Sequence, residues 1–196
     1  MKQQKEQEEK EQKEQEKFIN SVRQWVDSVV VGLNLCPFAK AELLKNRVRF
    51  SVTEAATEES LLRQLASEFE ILDKDDSIET TLLIHPGVLT DFYDYNQFLE
   101  RAENLLADLE LEGIYQIASF HPQYQFGGTN PEDAENYTNR SPYPILHILR
   151  ESSLERVLEN YPNPELIPER NIELLVGLRS NKMNAMLQAC TNLKID

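Results

Sequence analysis

Cys36-Pro37, His85-Pro86 and His121-Pro122 place a cysteine and two histidines each directly before a proline. An imidazole titrates close to neutrality and can act as a general base or a metal ligand, while a thiolate is a nucleophile or a soft ligand. Both histidines follow apolar stretches, Thr80-Thr81-Leu82-Leu83-Ile84 and Ile114-Tyr115-Gln116-Ile117-Ala118-Ser119-Phe120. These stretches read as strands that the prolines stop. If the strands run parallel, His85 and His121 emerge together at the carboxyl edge of a sheet, where open α/β folds place their ligand sites.

Other candidate groups lie along the same edge. The polar segment 123–141, rich in Gly, Asn and Pro, leaves it and carries Gln125, Asn139 and Arg140. A planar guanidinium forms paired hydrogen bonds to carboxylate or phosphate, so Arg140 is the candidate anion clamp. Gln125, Asn139 and Asn34, two positions before Cys36, complete the substrate-binding set. Cys36 has two readings. If Pro37 opens a helix, Cys36 is its N-cap and the helix dipole favours thiolate. If Leu35, Pro37 and Phe38 bury it, the thiol is an inert core group.

The elements that must position these groups follow from periodicity. Phe18, Val22, Trp25, Val26, Val29, Val30 and Leu33 give an amphipathic helix ending near Gly32. Residues 37–45 form a second short helix, and the alternation of Val48, Phe50 and Val52 with polar residues gives a strand. Thr57 caps a helix bearing Leu61, Leu65, Phe69 and Leu72; Phe92 to Leu109 forms another, closed by Gly113. The order β-α-β-α-β predicts an α/β domain with a small, mainly parallel sheet flanked by helices, and helical N- and C-terminal parts. Pro144 to Val157 is predicted helical, with His147 on it as a core or boundary residue, and a last helix opens at Pro164 or Glu165 and runs to Leu178. Residues 1–17, which hold only Met, Lys, Glu and Gln, read as a low-complexity extension of the first helix. Residues 18–178 are the domain, and 179–196 are a weakly specified C-terminal extension in which Cys190 is incidental.

With 34 acidic and 20 basic residues and a formal net charge of −14, the chain would repel nucleic acid and anionic membrane surfaces. No apolar run is long enough to cross a bilayer, and Met1–Lys17 has no apolar signal core. The two cysteines form no CxxC pair, so both are expected as thiols in a reducing, cytoplasmic compartment. Lys40, Lys45, Arg47 and Arg49 make residues 34–49 locally basic, which favours a small anionic metabolite as partner. No motif sets an oligomeric state.

Four motifs, Val31-Gly32-Leu33-Asn34-Leu35-Cys36-Pro37-Phe38-Ala39, Thr81-Leu82-Leu83-Ile84-His85-Pro86, Ala118-Ser119-Phe120-His121-Pro122 with Tyr124 and Phe126, and Asn139-Arg140-Ser141-Pro142-Tyr143-Pro144, occur in this order. Together they resemble the bacterial family termed domain of unknown function 1415, over about residues 21–178. The resemblance implies a single bacterial cytoplasmic domain and carries no residue roles.

Three functions are therefore weighed. The first is a small-molecule enzyme at the carboxyl edge, with His121 or His85 as general base, Cys36 as nucleophile and Arg140 as clamp. The second is a non-catalytic metal- or metabolite-binding protein using Cys36, His85 and His121 as ligands, for which zinc is the implied metal. The third is an acidic protein-interaction module.

Overall fold

The computed structural model describes residues 2–192, so Met1 and the last four positions of the 179–196 extension lie outside the described residues. Lys, Glu and Gln are strong helix formers, and the N-terminal head continues without a break into helix α1, Lys2–Trp25. The head is solvated, as its composition requires, and burial begins at Ser21, Val22 and Trp25. The chain then widens into a π-helical turn, Val26–Val31. Gly32 is its C-cap, and only glycine fits there because a Cβ would sit 2.3 Å from the Ser28 carbonyl oxygen. Asn34 turns the chain away at φ 53°, a left-handed conformation that asparagine tolerates better than most residues.

Helix α2, Ala39–Leu44, starts later than Pro37 and takes Phe38 as its N-cap. Cys36 is thus a turn residue, whose carbonyl accepts from the Ala39 amide at 3.3 Å, and the helix-dipole argument for its thiolate falls away. Strand β1, Val48–Val52, leads to α3, Glu58–Lys74, which opens on a reciprocal cap between Thr57 and Ser60. A half-buried ion pair fixes α3 to β1: Arg49 Nε donates to the buried Glu68 at 2.8 Å, and Ser51 Oγ donates to the same carboxylate at 2.7 Å. Strand β2, Thr80–Ile84, is buried along its whole length and pairs parallel with β1, Phe50 facing Leu82. Helix α4, Phe92–Asp108, is capped by Asp91 and ends before Gly113, which serves the turn into β3, Tyr115–Phe120, at φ 77°.

The segment predicted as a helix from Pro144 divides in two. Ile145–Arg150 is strand β4, and Glu151–Glu159 is helix α5. β4 enters the sheet between β2 and β3, antiparallel to both, so the order is β1-β2-β4-β3 and the sheet is mixed rather than mainly parallel. The chemistry of the strands explains the insertion. β4 offers Ile145, Leu146 and Ile148 to both faces and takes an interior place, whereas β3, with Gln116 exposed, is left at the edge. Because segment 121–144 departs from and returns to one edge, no crossover helix is needed and β4 must run backwards.

Each face of the sheet buries a separate core. Leu83, Leu146 and Ile148 pack under α3 and α4 with Tyr95 and Phe98. Phe50, Leu82, Ile84 and Ile145 pack on the other face against Val22, Trp25 and Val29. The latter core also receives Leu175 of α6, Ile167–Leu178, together with Met183 and Cys190 of α7, Ser180–Thr191. The described part of the C-terminal extension is therefore a docked helix, and Cys190 Sγ lies 3.6 Å from Ser28 Oγ. Among the described residues no helix is long and apolar enough to cross a membrane.

Candidate functional site

His85 and His121 do emerge at one edge, since β2 and β3 point the same way on either side of β4. Both lie against one ring: Tyr95 stacks on His85 at 5.7 Å and tilts against His121 at 5.1 Å. Their nitrogens, however, serve the backbone. His121 Nε2 donates to Leu89 O at 3.2 Å and Nδ1 accepts from the Gln123 amide at 3.0 Å, so neither nitrogen is left for a substrate. His85 Nδ1 donates to Val88 O at 3.0 Å, while Nε2 finds no partner among the described residues. Both rings are fully buried, and burial holds both below the ordinary imidazole pKa, His85 at about 4. The pair fastens the loop that follows β2 to the sheet edge.

The loop residues expected to bind substrate also bind their own chain. Arg140 Nε donates to Tyr124 O at 3.0 Å and Nη2 to Pro131 O at 2.6 Å, with the guanidinium 4.6 Å above the Tyr137 ring. Gln125 donates to Thr129 O and Asn139 to Ser119 O. Asn34 is a left-handed turn residue. Buried Asn136, which no sequence signal marked, organises the loop by accepting from the Phe126 amide and the Thr129 hydroxyl and donating to Asn130 O. An arginine in a loop reads as an anion clamp only while its own loop carbonyls are out of view.

Cys36 lies elsewhere. It lines a cavity on the sheet face opposite α4, and neither His85 nor His121 reaches that cavity. The three proposed metal ligands therefore do not converge. Among the described residues no group of three or more His, Cys, Asp or Glu side chains is placed to hold a metal.

The cavity that holds Cys36 measures about 450 Å³, within the usual range for small-molecule sites. Its floor is the face of β2, β4 and β3 where His147 lies between Leu82 and Ala118, and the small Ala118 leaves room above the sheet. Val26 and Val30 of the π-helical turn, Phe38 and Leu154 give it apolar walls. An aromatic row closes one end, Trp25 meeting Phe120 edge-on at 5.3 Å and Phe120 meeting His147 at 6.0 Å. Leu35, whose carbonyl accepts from Asn171 Nδ2 at 2.8 Å, anchors the turn that presents Cys36.

Two of the polar groups of this cavity fix one another. Thr80 Oγ1 donates to Ile148 O at 2.6 Å, so at 2.7 Å it must accept from His147 Nε2. His147 is thereby held as the neutral Nε2–H tautomer, with Nδ1 as an acceptor, and burial lowers its pKa to about 4. Trp25 is 2% exposed, and its Nε1–H has no acceptor among the described residues. A buried orphan donor costs free energy, about 1–3 kcal/mol, unless a ligand or water meets it. The wall thus combines an apolar body with the neutral acceptor of His147 and the Cys36 thiol, and Glu42, Lys45, Glu79 and Arg150 also line the cavity.

Trp25, Thr80 and His147 escaped sequence reasoning. Reading 145–150 as a strand would have aligned His147 with Leu82 and Ala118, because alternate residues share a face.

No curated protein and no solved structure matches the chain. The model of the family described as "Protein of unknown function (DUF1415)" matches residues 17–185, which take in α1 from its last turns, the whole sheet and the first turns of α7. The chain belongs to that family.

Proposed function

We propose that this protein binds a small, largely apolar molecule in the cavity between the sheet and α1, α2 and α5, with Cys36 and His147 facing the bound molecule. One observation carries the reading: the Cys36 thiol group and the acceptor side of His147 belong to residues that line one largely apolar cavity of about 450 Å³. Thiol chemistry on the bound molecule is a second role for the same wall, with Cys36 as nucleophile and neutral His147 as proton acceptor. Cys36 and Cys190 are both free thiols, which supports a reducing, cytoplasmic setting.

Trp25 is the sole tryptophan, so its fluorescence reports on the cavity directly. Titration with octanol is expected to give a saturable change in Trp25 emission. Ala118→Leu, which fills the floor, is expected to abolish that change while the far-ultraviolet circular dichroism is retained. A wild type with no saturable response, or an Ala118→Leu variant that binds equally well, would overturn the reading.

A further inference from the structure

The floor of the same cavity holds a hydrogen-bond acceptor that no group of the described chain meets. His147 donates from Nε2 to Thr80, which leaves Nδ1 with its lone pair, and Nδ1 makes no hydrogen bond among the described residues. It is not sealed in protein as His85 Nε2 and Trp25 Nε1 are. Those two unpartnered atoms are fully enclosed, whereas Nδ1 keeps accessible surface, and the cavity is the space that His147 lines. Its neighbours on the floor have no side-chain donor. Leu82 and Ala118 stand opposite His147 in the two ladders, and the Phe120 ring lies 6.0 Å away. The charged side chains that line the cavity, Glu42, Lys45, Glu79 and Arg150, carry both signs, so the fixed polarity of the floor, rather than net charge, distinguishes one ligand from another.

We propose that the ligand of this cavity is an apolar molecule bearing a hydroxyl or amide N–H group, which donates to His147 Nδ1 while the rest lies over Leu82 and Ala118. The proposal rests on the reading of the cavity as a binding site and names the chemistry that the site selects. The unprotonated nitrogen of a neutral imidazole accepts and cannot donate. An ether or ketone oxygen brought to the same place sets lone pair against lone pair, and both groups forfeit the water they held. Thr80 makes the choice firm. In the other tautomer Nε2 and the Thr80 oxygen would face each other as two acceptors, because the Thr80 proton is already given to Ile148 O at 2.6 Å. Burial, which holds the pKa at about 4, keeps Nδ1 unprotonated at neutral pH.

Octanol, heptyl methyl ether and hexyl methyl ketone have the same numbers of carbon and oxygen atoms, and of the three only octanol donates. Their dissociation constants from Trp25 fluorescence therefore test the proposal. Octanol is expected to bind about fivefold more tightly than either of the others. His147→Phe keeps a ring on the floor and removes the acceptor, and it is expected to bring the three probes to similar affinities. A second measurement uses the wild type alone: the nitrogen-15 resonance of Nδ1 is expected to move upfield on saturation with octanol, as the hydrogen bond forms, and to hold its place with the ether. Equal affinities of the wild type for the three probes, an octanol preference that survives in His147→Phe, or an Nδ1 resonance that octanol leaves unmoved overturns this proposal and leaves the binding site standing. Failure of all three probes to bind overturns both.

Discussion

His147 donates from Nε2 to the Thr80 hydroxyl at 2.7 Å, across neighbouring antiparallel strands, and that bond decides which nitrogen of the ring accepts. Thr80→Val removes the hydroxyl and leaves the Nε2–H and the Ile148 carbonyl with one partner fewer. A loss of about 1–3 kcal/mol is expected in urea unfolding. Nitrogen-15 correlation spectra of the imidazole should show the Nε2–H tautomer in the wild type and a mixture of tautomers in the variant. A variant with an unchanged tautomer would show that the apolar setting, not Thr80, selects it.

Burial sets a pH limit on the fold. His85 has a pKa of about 4 when folded against 6.5 for a free imidazole, so between these values the unfolded chain binds the additional proton. The contribution of His85 to stability is level above pH 6.5, falls as the pH drops through that window and levels again below about pH 4. The difference corresponds to about 3 kcal/mol for His85. Urea unfolding at the two ends should show the fall, and His85→Leu should flatten the profile by about that amount. His147 has a similar pKa and adds to the fall in both proteins.

Tyr95 joins two strands through one hydroxyl, donating to Ile145 O at 2.8 Å and accepting from the Phe120 amide at 3.1 Å. Tyr95→Phe keeps the ring contacts with both histidines and leaves two backbone groups without that partner. We expect a loss of about 3 kcal/mol and faster hydrogen exchange at the Phe120 amide. Exchange at the wild-type rate would assign the role of Tyr95 to its ring alone.

The two cysteines should separate cleanly in reactivity. Cys36 is partly exposed in the cavity wall, whereas Cys190 is buried, with its thiol pKa pushed up by that burial. Iodoacetamide under native conditions is expected to add one group, at Cys36, as mapped by peptide mass spectrometry. Saturating octanol should slow the addition. Alkylation of Cys190 at a comparable rate would mean that α7 detaches from α1 in solution.

The Arg49–Glu68 pair is a further point of weakness. Glu68 is fully buried, so Arg49→Met leaves its carboxylate with Ser51 as the remaining hydrogen-bond donor among the described residues. Taking a charged donor from the buried carboxylate costs about 1.5–3 kcal/mol, measurable by urea unfolding. Replacing both with apolar residues should recover much of it.

Much of the architecture was legible because single segments carry it. Thr57 announced α3, the apolar run 80–84 announced a central strand, and the Leu and Phe spacing announced α4. The continuous apolar run of β4 misled, since Ile145-Leu146 and Ile148-Leu149 suit a buried strand and a helix equally, and α5 supplies a helical spacing directly after it. With β4 misread, His147 could not be aligned with Leu82 and Ala118, and its cavity was invisible. The shared edge of His85 and His121 was legible from strand direction alone. Their attachment to Leu89 and Val88 carbonyls was not, because a loop's carbonyl directions depend on its folded path.

The place of β4 between β2 and β3 governs the order in which the chain can fold. A chain emerging from the ribosome has β1, α3 and β2 in hand early, and those can pair at once. β3 then appears with no strand beside it, and β2 keeps one open edge, until residue 150 is clear of the exit tunnel. Two unpaired β edges therefore wait together for a single late strand, a period in which other chains compete for the same hydrogen bonds. The sheet closes only when β4 enters between them.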